Sequence, residues 1–339
     1  MRKKVCLFAL SVAMLFSMTG CLDEEYEEGG EYQSGYSDEY NGENNGDYSG
    51  EYASEYSDGN SGEYANNTNE GGNNNSDSQY AFDWSEYERG LAGELEGDVI
   101  IFSIFANGTD YSWDFNSETD NETEGMIYSQ LKIAAEYLEK EASEYGKNLN
   151  LIYDWSQDNE LAEVFTVNFE VAADENYDAF CSEIDQNLAG SIIGLQKKYG
   201  TKNVVIMQYV NTPADYNQTS STMSRDLGDP YVNYEICKMF TKECGGDEPA
   251  AAYAHELLHA FGAPDYYMAD TDGSNQGLTQ EFVDSQKESG SNQLMYTVYL
   301  PDGSCDYSGI TNGLDEMTAY YIGWTDHSET VDSWGFRQR

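Results

Sequence analysis

Histidine is almost missing from this sequence, with three residues in 339. Imidazole chemistry must therefore come from very few positions, and two of the three lie four residues apart, at His255 and His259. Positive charge is scarce too. Lys and Arg number 16 against 63 Asp and Glu, a formal net charge of −47. Such a chain repels phosphates, which excludes nucleic acid as a partner. Its acidity mostly reports solubility and leaves room for a loose preference for cationic substrates. No two cysteines stand in a C-x-x-C spacing, so a cysteine-ligated zinc site is disfavoured. The apolar run at 5–16 is too short to span a bilayer.

That run reads as part of a targeting segment. Arg2, Lys3 and Lys4 precede it, and Met18-Thr19-Gly20-Cys21 follows. The last four residues resemble a bacterial lipobox. The resemblance implies a signal peptide over 1–21 and a lipid on Cys21. A single lipidated residue would anchor the mature protein to the extracytoplasmic face of the cell membrane without spanning it. A plain secretory signal cleaved near Gly20 is the alternative. Residues 22–80 are rich in Tyr, Glu, Gly, Ser and Asn, contain no Lys or Arg, and repeat Gly-Glu-Tyr at 30–32, 50–52 and 62–64. So few aliphatic residues cannot offset conformational entropy, so this segment is expected to be a disordered acidic tether. Carboxylate repulsion would extend it. Binding to a wall polymer through its tyrosines is the other reading. No cysteine lies between Cys21 and Cys181, so this stretch offers no inhibitory thiol.

The chemistry concentrates in His255-Glu256-Leu257-Leu258-His259-Ala260-Phe261-Gly262-Ala263-Pro264-Asp265. Histidines four apart share one helical face, so both imidazoles reach one metal ion. Glu256 beside the first histidine can take a proton from water at the open position. Gly262 is where a helix would end left-handed, and Pro264 blocks its continuation. The turn would return Asp265 as a third ligand. Two imidazoles, a carboxylate and an open fourth position form a catalytic rather than a structural zinc pattern. H-E-x-x-H-x-x-G-x-x-D resembles the metzincin metallopeptidase signature, in the variant with Asp as third ligand that snapalysin-type bacterial enzymes carry. Metzincins also have a methionine-containing turn beneath the metal. Leu294-Met295-Tyr296, thirty positions past Asp265, is similar to it. The resemblance covers roughly 97–325, with its specific motifs confined to 255–265 and 294–296.

Residues 81–339 are expected to form one catalytic domain. Residues 99–105, 149–153, 164–171 and 203–210 read as strands. Residues 126–146 and 177–199 read as long helices, stopped by Gly146 and Gly200. Strand-helix alternation implies parallel pairing. Residues 231–240 read as a further strand, and Pro249 suits the first turn of the site helix. The expected class is α/β (α+β): a metzincin-like zincin domain with a twisted mixed sheet, two long helices, the site helix and a small irregular C-terminal lobe. The resemblance makes 231–240 the antiparallel edge on which an extended peptide docks. Asp270 to Asn275 resembles a calcium loop in composition, but its glycine is misplaced for an EF-hand, and a solvated turn is preferred. Residues 313–324 are expected to hold the last helix, and His327 is read as a surface or packing residue. Cys181, Cys237, Cys244 and Cys305 allow three pairings, and Cys237 with Cys244 could close a small loop.

The expected function is a monomeric zinc endopeptidase at the cell surface, acting on protein or peptide substrates. His255, His259 and Asp265 would hold Zn2+, and Glu256 would act as general base and acid. Tyr296, Tyr266 or Tyr267 would assist the oxyanion. Two rivals stand. A later glutamate such as Glu281 could be the third ligand. The chain could also be a non-catalytic surface-binding lipoprotein with a metallopeptidase fold.

Overall fold

Alternating side chains along three buried strands divide the interior into two cores. In β1 (Gly97–Asn107), Val99, Ile101 and Phe105 point into one core, while Ile100, Phe102, Ile104 and Ala106 point into the other. β4 (Val204–Val210) and β6 (Glu235–Phe240) are buried at every position and divide the same way. Strands buried on both faces read as continuous apolar runs, and their neighbours are then parallel strands with helices above and below.

A computed structural model describes residues 94–216, 218–223, 235–243, 246–271 and 273–339. These all lie in the second of two contact units, Asn73–Arg339. The lipobox, Cys21 and the acidic tether lie outside the described residues. No helix among the described residues is long and apolar enough to cross a membrane.

The sheet runs β2-β1-β4-β6-β5, where β2 is Leu149–Ile152 and β5 is Ser221–Met223. β3 (Ala162–Thr166) pairs with the far half of β1. All pairings are parallel except that of β5 on β6, which is antiparallel. A short hairpin joins β7 (Lys242–Glu243) to β8 (Gly246–Asp247). One face of the sheet carries α1 (Glu118–Glu144) and α4 (Ala250–Ala260); the other carries α2 (Tyr177–Asn187) and α3 (Ala189–Tyr199). The class is mixed α/β, with a mixed sheet and seven α-helices among the described residues.

Several expectations are corrected. Residues 231–240 are not the edge. Their described part, β6, runs parallel to β4 inside the sheet, because β5 covers its outer side. Three residues, Ser-Thr-Met, are too short a pattern to mark β5 as a strand. The helix at 177–199 is broken at Leu188, whose φ of −111° and ψ of −6° separate α2 from α3. α1 starts at Glu118, eight residues before its apolar stripe, with Glu118 and Asp120 complementing the dipole of its first turn. The helix expected at 313–324 shortens to α6 (Glu316–Tyr321) and is not the last. α7 (Glu329–Trp334) follows, capped by the Ser328 hydroxyl. α5 (Gln280–Ser289) completes the C-terminal third, which is otherwise loops. Cys237 is buried, and the expected loop with Cys244 falls partly outside the described residues.

Leu131 of α1 is fully buried, whereas Val164 of β3 is 47% exposed. Leu131→Ala is expected to cost about 2–5 kcal/mol. Val164→Ala should stay within about 0.5 kcal/mol. Chemical denaturation of the two variants checks this difference.

Candidate metal centre

Ten of the eleven residues of α4 are buried, and the exception is His259. The helix starts after Pro249, which gives up no needed N–H there. It ends where Gly262 takes φ 103°, a region costly for any side chain. The Gly262 N–H reaches the His259 carbonyl at 2.9 Å, and the Ala263 N–H reaches the Leu258 carbonyl at 3.1 Å. Pro264 prevents the helix from resuming. The chain therefore doubles back and sets Asp265 over the helix end.

Three donor atoms converge there. His255 Nε2 and His259 Nε2 are 2.9 Å apart. Asp265 Oδ1 lies 3.1 Å from the His259 nitrogen and 3.2 Å from the His255 nitrogen. Donors bound tetrahedrally at about 2.0–2.1 Å are separated by about 3.4 Å, so this triangle needs little expansion to hold a zinc-sized ion.

The tautomers follow from the neighbours. His255 Nδ1 stands 2.9 Å from the Leu294 carbonyl, and His259 Nδ1 stands 2.7 Å from the Ala263 carbonyl. A carbonyl only accepts, so both Nδ1 atoms carry hydrogen and both Nε2 atoms face inward. Leu294 belongs to the segment with Met295, which is fully buried and whose carbonyl accepts the Tyr266 N–H at 2.8 Å. Burial pushes the His259 pKa down, but the charge and hydrogen bond of Asp265 outweigh it, aided by Glu256 and the Ala263 carbonyl, and the result is about 9. Burial alone would raise the Asp265 carboxyl. The His259 charge and hydrogen bonds from both imidazoles instead hold it well below the usual carboxylate range. The metal-free chain thus keeps one proton among the inward-facing nitrogens at neutral pH.

Glu256 is 6% exposed and borders the same cleft, whose volume is about 500 Å³. The Thr222 hydroxyl of β5 lies 2.7 Å from Glu256 Oε2 and gives its proton to that charged acceptor. The Cys237 thiol donates to the Glu256 carbonyl at 3.4 Å. Burial, reinforced by the Glu256 charge, pushes this thiol up, so it stays protonated. Ligand atoms of His255, Glu256 and His259 also fall within 4.8 Å of one another. Of the two carboxylates, Asp265 is the better third donor, because it contacts both ring nitrogens while Glu256 is held by Thr222.

Other expected residues sort clearly. Tyr266 is fully buried, and its hydroxyl meets Asp315 Oδ1 at 2.8 Å and Thr318 Oγ1 at 2.7 Å, which takes it away from the cleft. Tyr296 is half-buried and packs against the core. Tyr267 is 51% exposed, lines the cleft, and lies nearly parallel to the His255 ring at 6.2 Å. Glu281 sits exposed on the first turn of α5, outside the donor cluster. Asp270 accepts N–H groups from Gly273 at 2.5 Å and Gly277 at 2.6 Å, so its loop is a turn clamped on itself. His327 is an exposed residue 3.5 Å from Asp332 Oδ2. Thr222, Asn275 and the Leu294 carbonyl have no local sequence signal.

No family model matches this chain, and no curated protein matches it. A solved structure described as "Structure of a chaperone-substrate complex" aligns at 12% identity and TM-score 0.25, over 69% of this chain and 36% of that one. Likeness at that level assigns neither fold nor function.

The folded pKa of His259, about 9, lies above its unfolded value of about 6.5. Its stabilisation of the metal-free fold is therefore complete below about pH 6.5 and is lost as pH rises through about 9. The Asp265 contribution is present above about pH 3.9 and is lost in more acid solution. In chelator, the gap in Tm between the wild type and His259→Gln should narrow steadily from pH 6.5 to 9.5.

Proposed function

We propose that this domain is a zinc-dependent endopeptidase of the metzincin type, with Asp265 as third ligand. The observation that carries the reading is the triangle of His255 Nε2, His259 Nε2 and Asp265 Oδ1, 2.9–3.2 Å on each side and open to a cleft that Glu256 also borders. The buried Met295 beside the carbonyl that orients His255, and the antiparallel strand at the cleft, support the same reading.

A zinc ion held there would supply Lewis acidity toward a peptide carbonyl and bring the pKa of water toward about 7. The residues do the rest. The two carbonyl-bound imidazoles present fixed lone pairs. Glu256, with Oε2 held by Thr222, takes a proton from the attacking water and delivers it to the leaving amine. Tyr267, which lines the cleft and lies nearly parallel to the His255 ring, is the tyrosine we assign to assist the oxyanion. β5 takes the role first given to 231–240. Ser220, Ser221 and Thr222 line the cleft, and an extended peptide would add to this edge through backbone hydrogen bonds. Lipidation at Cys21, with 22–80 as spacer, would hold the enzyme at the membrane surface.

A second reading makes Glu256 itself a ligand, since it too lies within 4.8 Å of the histidine nitrogens. The site would then lack a base and would only bind metal.

Glu256→Gln separates the two. In the endopeptidase reading it keeps the zinc stoichiometry of the wild type and loses about 10²–10⁴-fold in cleavage of an unfolded protein substrate. Loss of zinc with this substitution supports Glu256 as ligand. Asp265→Ala should lose activity and bind zinc far more weakly, through the two imidazoles that remain, and chelation followed by zinc should restore cleavage only in the wild type. A wild type that binds zinc but cleaves no protein overturns the enzyme assignment.

A further inference from the structure

Asp265 is the one donor of the three that no helix holds. Its position depends on a turn, and therefore on whatever clamps the turn. The clamp is Asn275, ten residues along the chain and 5% exposed. Its Oδ1 accepts the Asp265 N–H at 2.8 Å. Its Nδ2 donates to the Asp265 carbonyl at 2.8 Å and to the Met268 carbonyl at 2.6 Å. One side-chain amide thus takes both backbone polar groups of the metal-site aspartate, as a neighbouring strand would.

The loop that carries Asn275 is stiffened on every side. Asp270 gathers the Gly273 and Gly277 N–H groups. The Asp270 N–H meets the Leu278 carbonyl at 2.8 Å, and the Leu278 N–H meets the Asn275 carbonyl at 3.1 Å. The Arg337 N–H bonds the Gln276 carbonyl at 2.9 Å. Gln276 itself sits at φ 56°, the one non-glycine residue with positive φ among the described residues. Such a conformation persists only where the surroundings over-determine it. Among its described residues, the loop whose composition resembled a calcium site presents an amide to Asp265.

We propose that Asn275 is a positioning residue that sets metal affinity through the backbone of Asp265. A carboxylate on a loose turn must be ordered when the metal binds, whereas one already held spends no binding energy on ordering. Supporting partners of metal ligands act in this way, and their loss typically weakens affinity by about 10–100-fold. The inference rests on the metal reading proposed above.

Zinc titration against a competing chromophoric chelator tests it in four proteins: wild type, Asn275→Ala, Asp265→Ala and the double variant. Asn275→Ala should bind zinc about 10–100-fold more weakly than the wild type. In the Asp265→Ala background the same substitution should change nothing, because the group it positions is gone. Asn275→Ser, which can keep one of the three hydrogen bonds, should fall between and carries the test if circular dichroism shows the alanine variant unfolded. Equal zinc affinity in wild type and Asn275→Ala overturns the proposal. Equal weakening in both backgrounds overturns it too, since that marks a general effect on the fold. A wild type that binds no zinc removes the metal reading itself, and this inference with it.

Discussion

Two carbonyl oxygens govern the site. Leu294 and Ala263 each accept an Nδ1–H from one of the paired imidazoles, and this turns both Nε2 atoms toward the same point. Without them the rings could rotate or switch tautomer, and the helical spacing of His255 and His259 would guarantee only nearness. The cost is an unfavourable crowd of polar atoms: two inward ring nitrogens and a carboxylate oxygen within 3.2 Å. In the metal-free chain a proton on His259 relieves it, which is why that imidazole is so basic.

The rest of the fold keeps those atoms still. α4 packs against the sheet and against its neighbour α1, which fixes the helix that carries both histidines. The sheet does more than cover it. β5 sends Thr222 to the Glu256 carboxylate, and β6 sends Cys237 to the Glu256 carbonyl. The C-terminal third, poor in regular structure, supplies the remaining constraints. Its loops deliver Leu294 to one imidazole and Asn275 to the backbone of Asp265. The Tyr266 hydroxyl, bonded to Asp315 and Thr318, pins the neighbouring residue to α6. Irregular backbone near the site is thus held by side chains that saturate its polar groups, in place of a strand or helix ladder.

How much could be read beforehand depended on whether the cause was local. The strands β1 and β4 and the helix α1 announce themselves by unbroken apolar runs or helical spacing, because burial on two faces leaves no polar position. Gly262 and Pro264 announce the turn, because φ 103° admits glycine and proline ends helices. By contrast, β5 is three ordinary residues made into a strand only by the exposed edge of β6. The break at Leu188 and the serine cap of α7 leave signals too weak to outweigh a long apolar pattern.

Local chemistry set the candidate donors, their spacing along one helix and the return of a carboxylate after it, since these depend on rise per residue and on the φ limits of glycine and proline. Long-range packing chose which carboxylate oxygen meets both imidazoles, which tyrosine lines the cleft, and which of the described strands lies at the sheet edge beside it. Those outcomes turn on partners as much as 52 residues apart, such as Tyr266 and Thr318. No local pattern encodes such pairs, because packing alone brings them within hydrogen-bond reach.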